Sequence, residues 1–183
     1  MYITICVLSI KQISGDYMKT FSNWKDLEKY LKSIIEQELQ KLGEEIKKAL
    51  KQELKAKFYG RAGYHQNQDS TDWYDRTWQL LECITLSPTN INGNEYSVRV
   101  YYDTNKMTTF VTEDKWSTHQ SIIDGRDFRE ALPEVIEFGN PSPLYGWKGF
   151  NIVGDLTDRL IDDKVVLQWF VSALEKRGFK CVY

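Results

Sequence analysis

At 183 residues, with 42% hydrophobic and 14% aromatic content, the chain is the size of one domain and carries enough apolar material for a packed core, which excludes global disorder. A formal net charge of -2 excludes a protein whose main task is to neutralise nucleic-acid phosphate over a broad basic face. Cys6, Cys83 and Cys181 are odd in number and widely spaced, which indicates neither a disulfide framework nor a zinc site and suits a reducing compartment.

Residues 2–13 place Ile3, Ile5 and Val7 at alternate positions and predict a strand closed by Ser14, Gly15 and Asp16. Met18 offers a second translation start, which makes residues 1–17 an N-terminal strand extension. The apolar opening is too short to span a bilayer and lacks the basic flank and cleavage site of a signal peptide, so the chain reads as soluble and cytoplasmic where it is made, with no membrane partner.

From Asn23 the period changes. Leu27, Leu31, Ile35, Leu39, Leu42, Ile46, Leu50, Leu54 and Phe58 fall three or four apart, predicting a long amphipathic helix over residues 23–59, capped by Ser22 or Asn23 and ended by Gly60. Gly43 invites a kink or a break. Such a helix is about 50 Å long at roughly 1.5 Å per residue, longer than a domain of this size is wide. Its apolar stripe therefore either meets another chain in part or folds, kinked, onto its own sheet.

Residues 60–73 are polar and turn-rich. A short helix follows over residues 74–84, with Asp75 or Thr77 as cap and Leu80, Leu81 and Ile84 as its buried side. Residues 96–103 and 107–112 read as strands of an antiparallel meander spanning 96–112, joined by residues 103–106, with Asn92, Gly93 and Asn94 ahead of the first. Residues 125–137 predict a short helix or turn, and Val135, Ile136, Glu137 and Phe138 close on Gly139. Residues 140–150 form a glycine- and proline-punctuated aromatic loop in which Tyr145, Trp147 and Phe150 are candidates for a partner contact. A closing helix over 155–177 puts Leu156, Leu160, Leu167, Val171 and Leu174 on one face, with Asp155 as cap, Lys176 and Arg177 in the last turn and Gly178 as stop. The expected fold is a single α+β domain, its long N-terminal helix and C-terminal helix packed on an antiparallel sheet.

Charge is unevenly spread: residues 24–59 hold nine Lys against seven Asp or Glu, and residues 103–163 hold twelve acidic residues against six basic ones. That split suits head-to-tail association of copies, and equally two separately solvated faces. Catalytic signatures are sparse. His65 and His119 sit in no recognisable motif, the possible ligands His65, His119, Asp69, Asp72 and Asp124 include no pair of histidines at the i, i+4 spacing of a His-x-x-x-His zinc site, and no phosphate-cradling glycine loop occurs. No cofactor or metal is expected, and the chain is not expected to be an enzyme.

Arg76, Thr77, Trp78, Gln79, Leu80, Leu81, Glu82, Cys83 and Ile84, followed by Val135, Ile136, Glu137, Phe138 and Gly139, resemble in order and setting the motifs of the tail-completion, or minor tail-component, proteins at the head-tail junction of tailed bacteriophages. The likeness runs over about residues 18–178. Trp78 stands where that family usually has glycine and Cys83 where serine is usual, so the short helix either begins differently or exposes Trp78 as a contact. The resemblance implies a structural virion protein that assembles in several copies, a homo-oligomeric ring, in the neck or upper tail. Its partners would be copies of itself and other neck and tail proteins, with DNA passing nearby but no specific nucleic-acid binding. It also implies that Arg76, Thr77, Leu80, Leu81, Ile84, Glu137, Phe138 and Gly139 define the fold, with an Arg76–Glu137 ion pair among them. Tail terminator and head-closure ring are the nearest alternatives. From other classes, a small metal-dependent hydrolase remains, and a nucleic-acid-binding module using Lys47, Lys48, Lys51, Lys55, Lys57 and Arg61.

Overall fold

The computed structural model describes residues 2–7, 23–60, 78–93, 95–107, 128–140 and 147–178. Arg76, Thr77 and Tyr145 lie outside them, as do the loop at 60–73 beyond Gly60 and, except for Met107, the strand expected over 107–112.

Helix α1 (Trp24–Leu54) begins where expected: Asn23 is extended, and its side-chain oxygen accepts the Asp26 amide at 3.0 Å. Ile35, Leu39, Leu42, Ile46, Leu50 and Leu54 are buried, so the apolar stripe from Ile35 onward lies on the protein's own sheet. The helix continues unbroken through Gly43. A Cβ there would stand 2.5 Å from Leu86 Cδ1, so this glycine lets the helix approach the sheet closely instead of breaking. One π-helical turn, Lys55–Tyr59, completes the element.

Strand β1 (Tyr2–Val7) pairs antiparallel with β4 (Glu95–Tyr102), Tyr2 opposite Tyr101 and Val7 opposite Tyr96. The other edge of β4 is covered by two short strands, β2 (Ile84–Leu86) and β3 (Asn90–Asn92), with Ile84 opposite Tyr102 and Asn90 opposite Ser97. Between them Ser87, Pro88 and Thr89 face one residue fewer on β4, a bulge in which the Ser87 hydroxyl accepts the Arg99 amide at 2.9 Å. Gln40 of α1 holds the bulge by donating to Ser87 O and Thr89 Oγ1. A tight turn at Gly93, φ 61°, leads from β3 into β4. Alternation along β4 buries Tyr96, Val98 and Val100 beneath α1.

The sheet is therefore antiparallel and β4 is in place, but its described neighbours precede it in sequence. The expected joint at 103–106 contains a 3-10 turn (Thr104–Lys106), and beyond Met107 the strand expected to follow it lies outside the described residues. The short helix is also smaller than expected: α2 covers Gln79–Glu82, and Ile84 opens β2 instead of ending a helix, because Asp103 N–H and the Tyr102 pairing draw residues 83 and 84 into the sheet.

Helix α3 (Phe128–Phe138) ends at Gly139, φ 89°, where the chain enters a two-stranded ribbon of β5 (Gly139–Asn140) and β6 (Trp147–Lys148). The closing helix is in fact two, α4 (Ile152–Asp162) and α5 (Val165–Glu175), separated at Lys164, which takes the left-handed φ of 50°. The break resets the helical phase. Phe170 and Ala173 face the core in α5, while Leu167, expected inside, is 44% exposed.

Candidate functional site

Two built features stand out: a buried carboxylate that organises the α3–α4 corner, and a basic, aromatic flank along the C-terminal half of α1.

At the corner, Glu137 is 4% exposed. Its carboxylate accepts the amides of Ile152 at 2.7 Å, Val153 at 2.9 Å and Gly154 at 3.0 Å, the three N–H groups that open α4. A helix start leaves such donors without partners and concentrates positive dipole there, so an anion brought from elsewhere in the chain both satisfies and neutralises them. The expected local cap, Asp155, does something else: it accepts Asn151 Nδ2 at 2.7 Å and pairs with Lys57. Neighbouring backbone completes the corner, Phe150 N–H donating to Ile136 O and Asn151 N–H to Glu137 O. The described partners of Glu137 are thus backbone amides; Arg76, its expected ion-pair partner, lies outside the described residues. Gly139 supplies the turn, and Phe138, expected to help define the fold, points outward at 69% exposure.

On the flank, Trp78 stacks on Tyr59 with centroids 4.5 Å apart. Tyr59 meets Phe58 edge-on at 5.0 Å, Phe58 meets Phe150 edge-on at 5.8 Å, and Lys55 Nζ stands 6.0 Å from the Trp78 ring centre. Trp78 has ordinary right-handed backbone, φ -67°, and heads α2 without the special geometry a glycine would permit, leaving its ring half exposed. Two of the expected contact residues, Trp78 and Phe150, therefore belong to one aromatic chain, linked by Phe58 and Tyr59 of the π-helical turn. Trp147 lends its backbone to β6, and its side chain lies outside the described residues. Leu80 and Ile84 are buried as expected, while Leu81 is half-buried and floors a shallow groove of about 340 Å³ bordered by Glu44, Lys47, Lys48, Lys51 and Lys55.

Ion pairs tie the C-terminal helices to α1. Glu38, 5% exposed, accepts Arg177 Nη2 at 2.6 Å and Lys41 Nζ at 2.8 Å. Burial pushes the Glu38 carboxyl up, but the hydrogen bonds from Lys41 and Arg177 and their charges outweigh it and hold it below the usual carboxylate range. Farther along, Arg159 reaches Glu53 at 2.7 Å and Lys57 reaches Asp155 at 2.7 Å. The first site should be measurable. Glu38→Gln is expected to lose about 1–3 kcal/mol at neutral pH, since a charge-assisted pair is lost and Arg177 is left half-buried without its anion. A carboxyl depressed by folding contributes stability that is present above its unfolded pKa and lost as pH falls through the lower folded value. The stabilities of the two proteins in urea should therefore begin to converge as pH falls below about 4. A gap that stays constant down to pH 3 would sink the assignment.

The Cys83 thiol is buried, donates to Leu80 O at 3.2 Å and is pushed up to about 11 by burial first and the Asp103 charge next, so it is a poor nucleophile. Burial, and then the Glu137 charge, likewise raise the Tyr102 hydroxyl well above its ordinary value. Among the described residues no cluster of three or more His, Cys, Asp or Glu is placed to hold a metal ion, and no helix is long and apolar enough to cross a membrane. His65, His119, Asp69, Asp72 and Asp124 lie outside those residues.

Sequence reasoning missed the capping role of Glu137 and the bridging role of Glu38. Glu38 carried a readable signal: it lies in phase with Ile35 and Leu42, an acid at a core position of the stripe, which calls for a buried cation. Compared with protein-family models, curated proteins and solved structures, the chain matches none.

Proposed function

We propose that this protein is a structural component of the neck or upper tail of a tailed bacteriophage, present in several copies, which completes the tail and makes it competent to join the head. The observation that carries the reading is the Glu137 corner. Glu137 belongs to the Glu-Phe-Gly segment on which the resemblance rests, and it is spent on architecture, fixing where α4 begins. A motif residue used in this way suits a protein selected for shape and docking more than for turnover. Surface chemistry supports the same reading: half-exposed Trp78, outward Phe138 and a lysine-bordered groove are features that partners can grip.

Under this proposal the protein has no catalytic role. Its partners are further copies of itself and neighbouring neck and tail proteins, and it resides in the virion after assembly in the host cytoplasm. Tail terminators and head-closure rings share the same physical requirements and fall within the proposal. Electron microscopy of particles made with and without the protein tests it. Heads and tails that accumulate unjoined in its absence are the expected result, and normal tails joined to heads without it would overturn the proposal.

A further inference from the structure

Copies of this chain are joined head to tail, we infer, by seating the acidic flank of α4 and α5 of one copy in the lysine-bordered groove beside α1 of the next. The inference deepens the assembly proposal above and rests on it.

Two of the four lysines that border the groove are not engaged by described residues. Lys47 is paired with Glu44 at 3.1 Å and Lys55 lies over Trp78, but Lys48 and Lys51 have no anionic partner among the described residues. Positive charges three or four residues apart on one helical strip repel one another, and an anionic occupant relieves that repulsion. Leu81 supplies the apolar floor beneath them, Gln52 and Glu44 complete the lining, and Trp78 lies beyond Lys55.

The opposite surface has the complementary composition. Asp158 and Asp162 lie one turn apart on α4 and are exposed, with Ile161 beside them at 67% exposure, Asp163 following, and Leu167 at 44% exposure in the first turn of α5. None of the three aspartates has a cationic partner among the described residues; Arg159 is committed to Glu53, and Lys164 at the break is the nearby cation. An apolar patch bordered by carboxylates thus faces, in the next copy, a Leu81 floor bordered by four lysines, of which Glu44 neutralises Lys47. That pairing supplies both an apolar contact and charge-set orientation.

Geometry keeps the two surfaces from satisfying each other within one copy. The C-terminal helices reach α1 through Glu53 and Glu38, whereas Lys51 stands two residues from Glu53, about 200° around the helix at roughly 100° per residue. The patches therefore lie on opposite flanks of α1. An interface between unlike patches is heterologous, and repeating it gives a closed ring or a filament. A nucleic acid would meet the same lysines, but the chain carries a net charge of -2 and the Trp78 ring on which a base would stack is already engaged by Tyr59 and Lys55, so a second copy is the better occupant.

Sedimentation velocity on the full chain tests the interface. The wild type is expected to self-associate at low salt and to weaken about tenfold or more when ionic strength rises from about 0.05 to about 0.5 M. A Lys48→Ala, Lys51→Ala variant and an Asp158→Ala, Asp162→Ala variant should each stay monomeric where the wild type associates. Mixed in equal amounts they should give 1:1 dimers that grow no further, because each retains one intact patch. Circular dichroism establishes that both variants are folded. The interface is overturned by a wild type that stays monomeric at low salt, by variants that associate like the wild type, or by a mixture that forms no dimer. Association that persists in both variants removes this interface while leaving the assembly proposal standing, since particle microscopy decides that separately. Oligonucleotide binding that disappears with Lys48 and Lys51 while association is unchanged would assign the groove to nucleic acid and also overturn the inference.

Discussion

Glu137→Ala is expected to lower the unfolding free energy by about 3–5 kcal/mol, the range for breaking a buried charged contact, which in a domain of this size moves the thermal midpoint by roughly 10 °C. Three amides, those of Ile152, Val153 and Gly154, lose their acceptor, and two of those residues are buried where water does not easily replace it. A conventional exposed cap is worth only about 0.5–2 kcal/mol. Glu137→Gln keeps the volume and one accepting oxygen but turns an NH2 toward N–H donors and removes the charge opposed to the helix dipole, so it should lose about half as much. Glu137→Asp is too short by a methylene and should resemble the alanine variant more than the glutamine one. Denaturant titration of the three variants checks the order. An alanine variant within about 1 kcal/mol of the wild type would remove the carboxylate from its place as organiser of the corner.

The second large effect belongs to Gly149. A Cβ there would collide with the Glu137 carbonyl oxygen, the Phe138 carbonyl carbon and the Gly139 nitrogen, all of them backbone atoms at the end of α3. Backbone cannot rotate aside as a side-chain tip can, so Gly149→Ala must pry the β5–β6 ribbon from the helix end, at a cost of about 3 kcal/mol or more. Gly93→Ala is the appropriate contrast. Gly93 has φ 61° with open space around it, and its substitution should cost only the left-handed penalty of about 1–2 kcal/mol. Thermal melts that show Gly93→Ala losing as much as Gly149→Ala would argue against close approach at the corner. Combined with Glu137→Ala, the Gly149 substitution should cost less than the sum of the two, since both loosen the same junction.

Spacing made much of this architecture readable. The stripe from Ile35 to Leu54, the Asn23 cap and the alternation of Tyr96, Val98 and Val100 follow from local periods that the packing obeys. Where reading failed, the deciding contact was distant. Ile84 looks helical beside Leu80 and Leu81, yet it is claimed by Tyr102 across the sheet. Asp155 looks like a helix cap by position, yet the cap arrives from Glu137, in another helix. The break at Lys164 has neither glycine nor proline to announce it, so the stripe from Leu156 to Leu174 read as one helix and Leu167 was assigned to the wrong side. Of the candidate contact residues, Trp78 and Phe150 meet the same aromatic chain only because the π-helical turn places Phe58 and Tyr59 between them, a geometry no local pattern encodes.

Helix α1 is hydrogen-bonded over 31 residues, but none of residues 24–33 is buried, and Trp24 is 75% exposed. Its backbone is thus uniform while its anchoring is not. Amide hydrogens near Trp24 should exchange by fraying, at rates set by a local helix-coil equilibrium, whereas those beyond Leu39 should exchange only when the whole domain opens. One continuous helix then carries a gradient of protection, with its first turns free to reshape against a neighbour without disturbing the core.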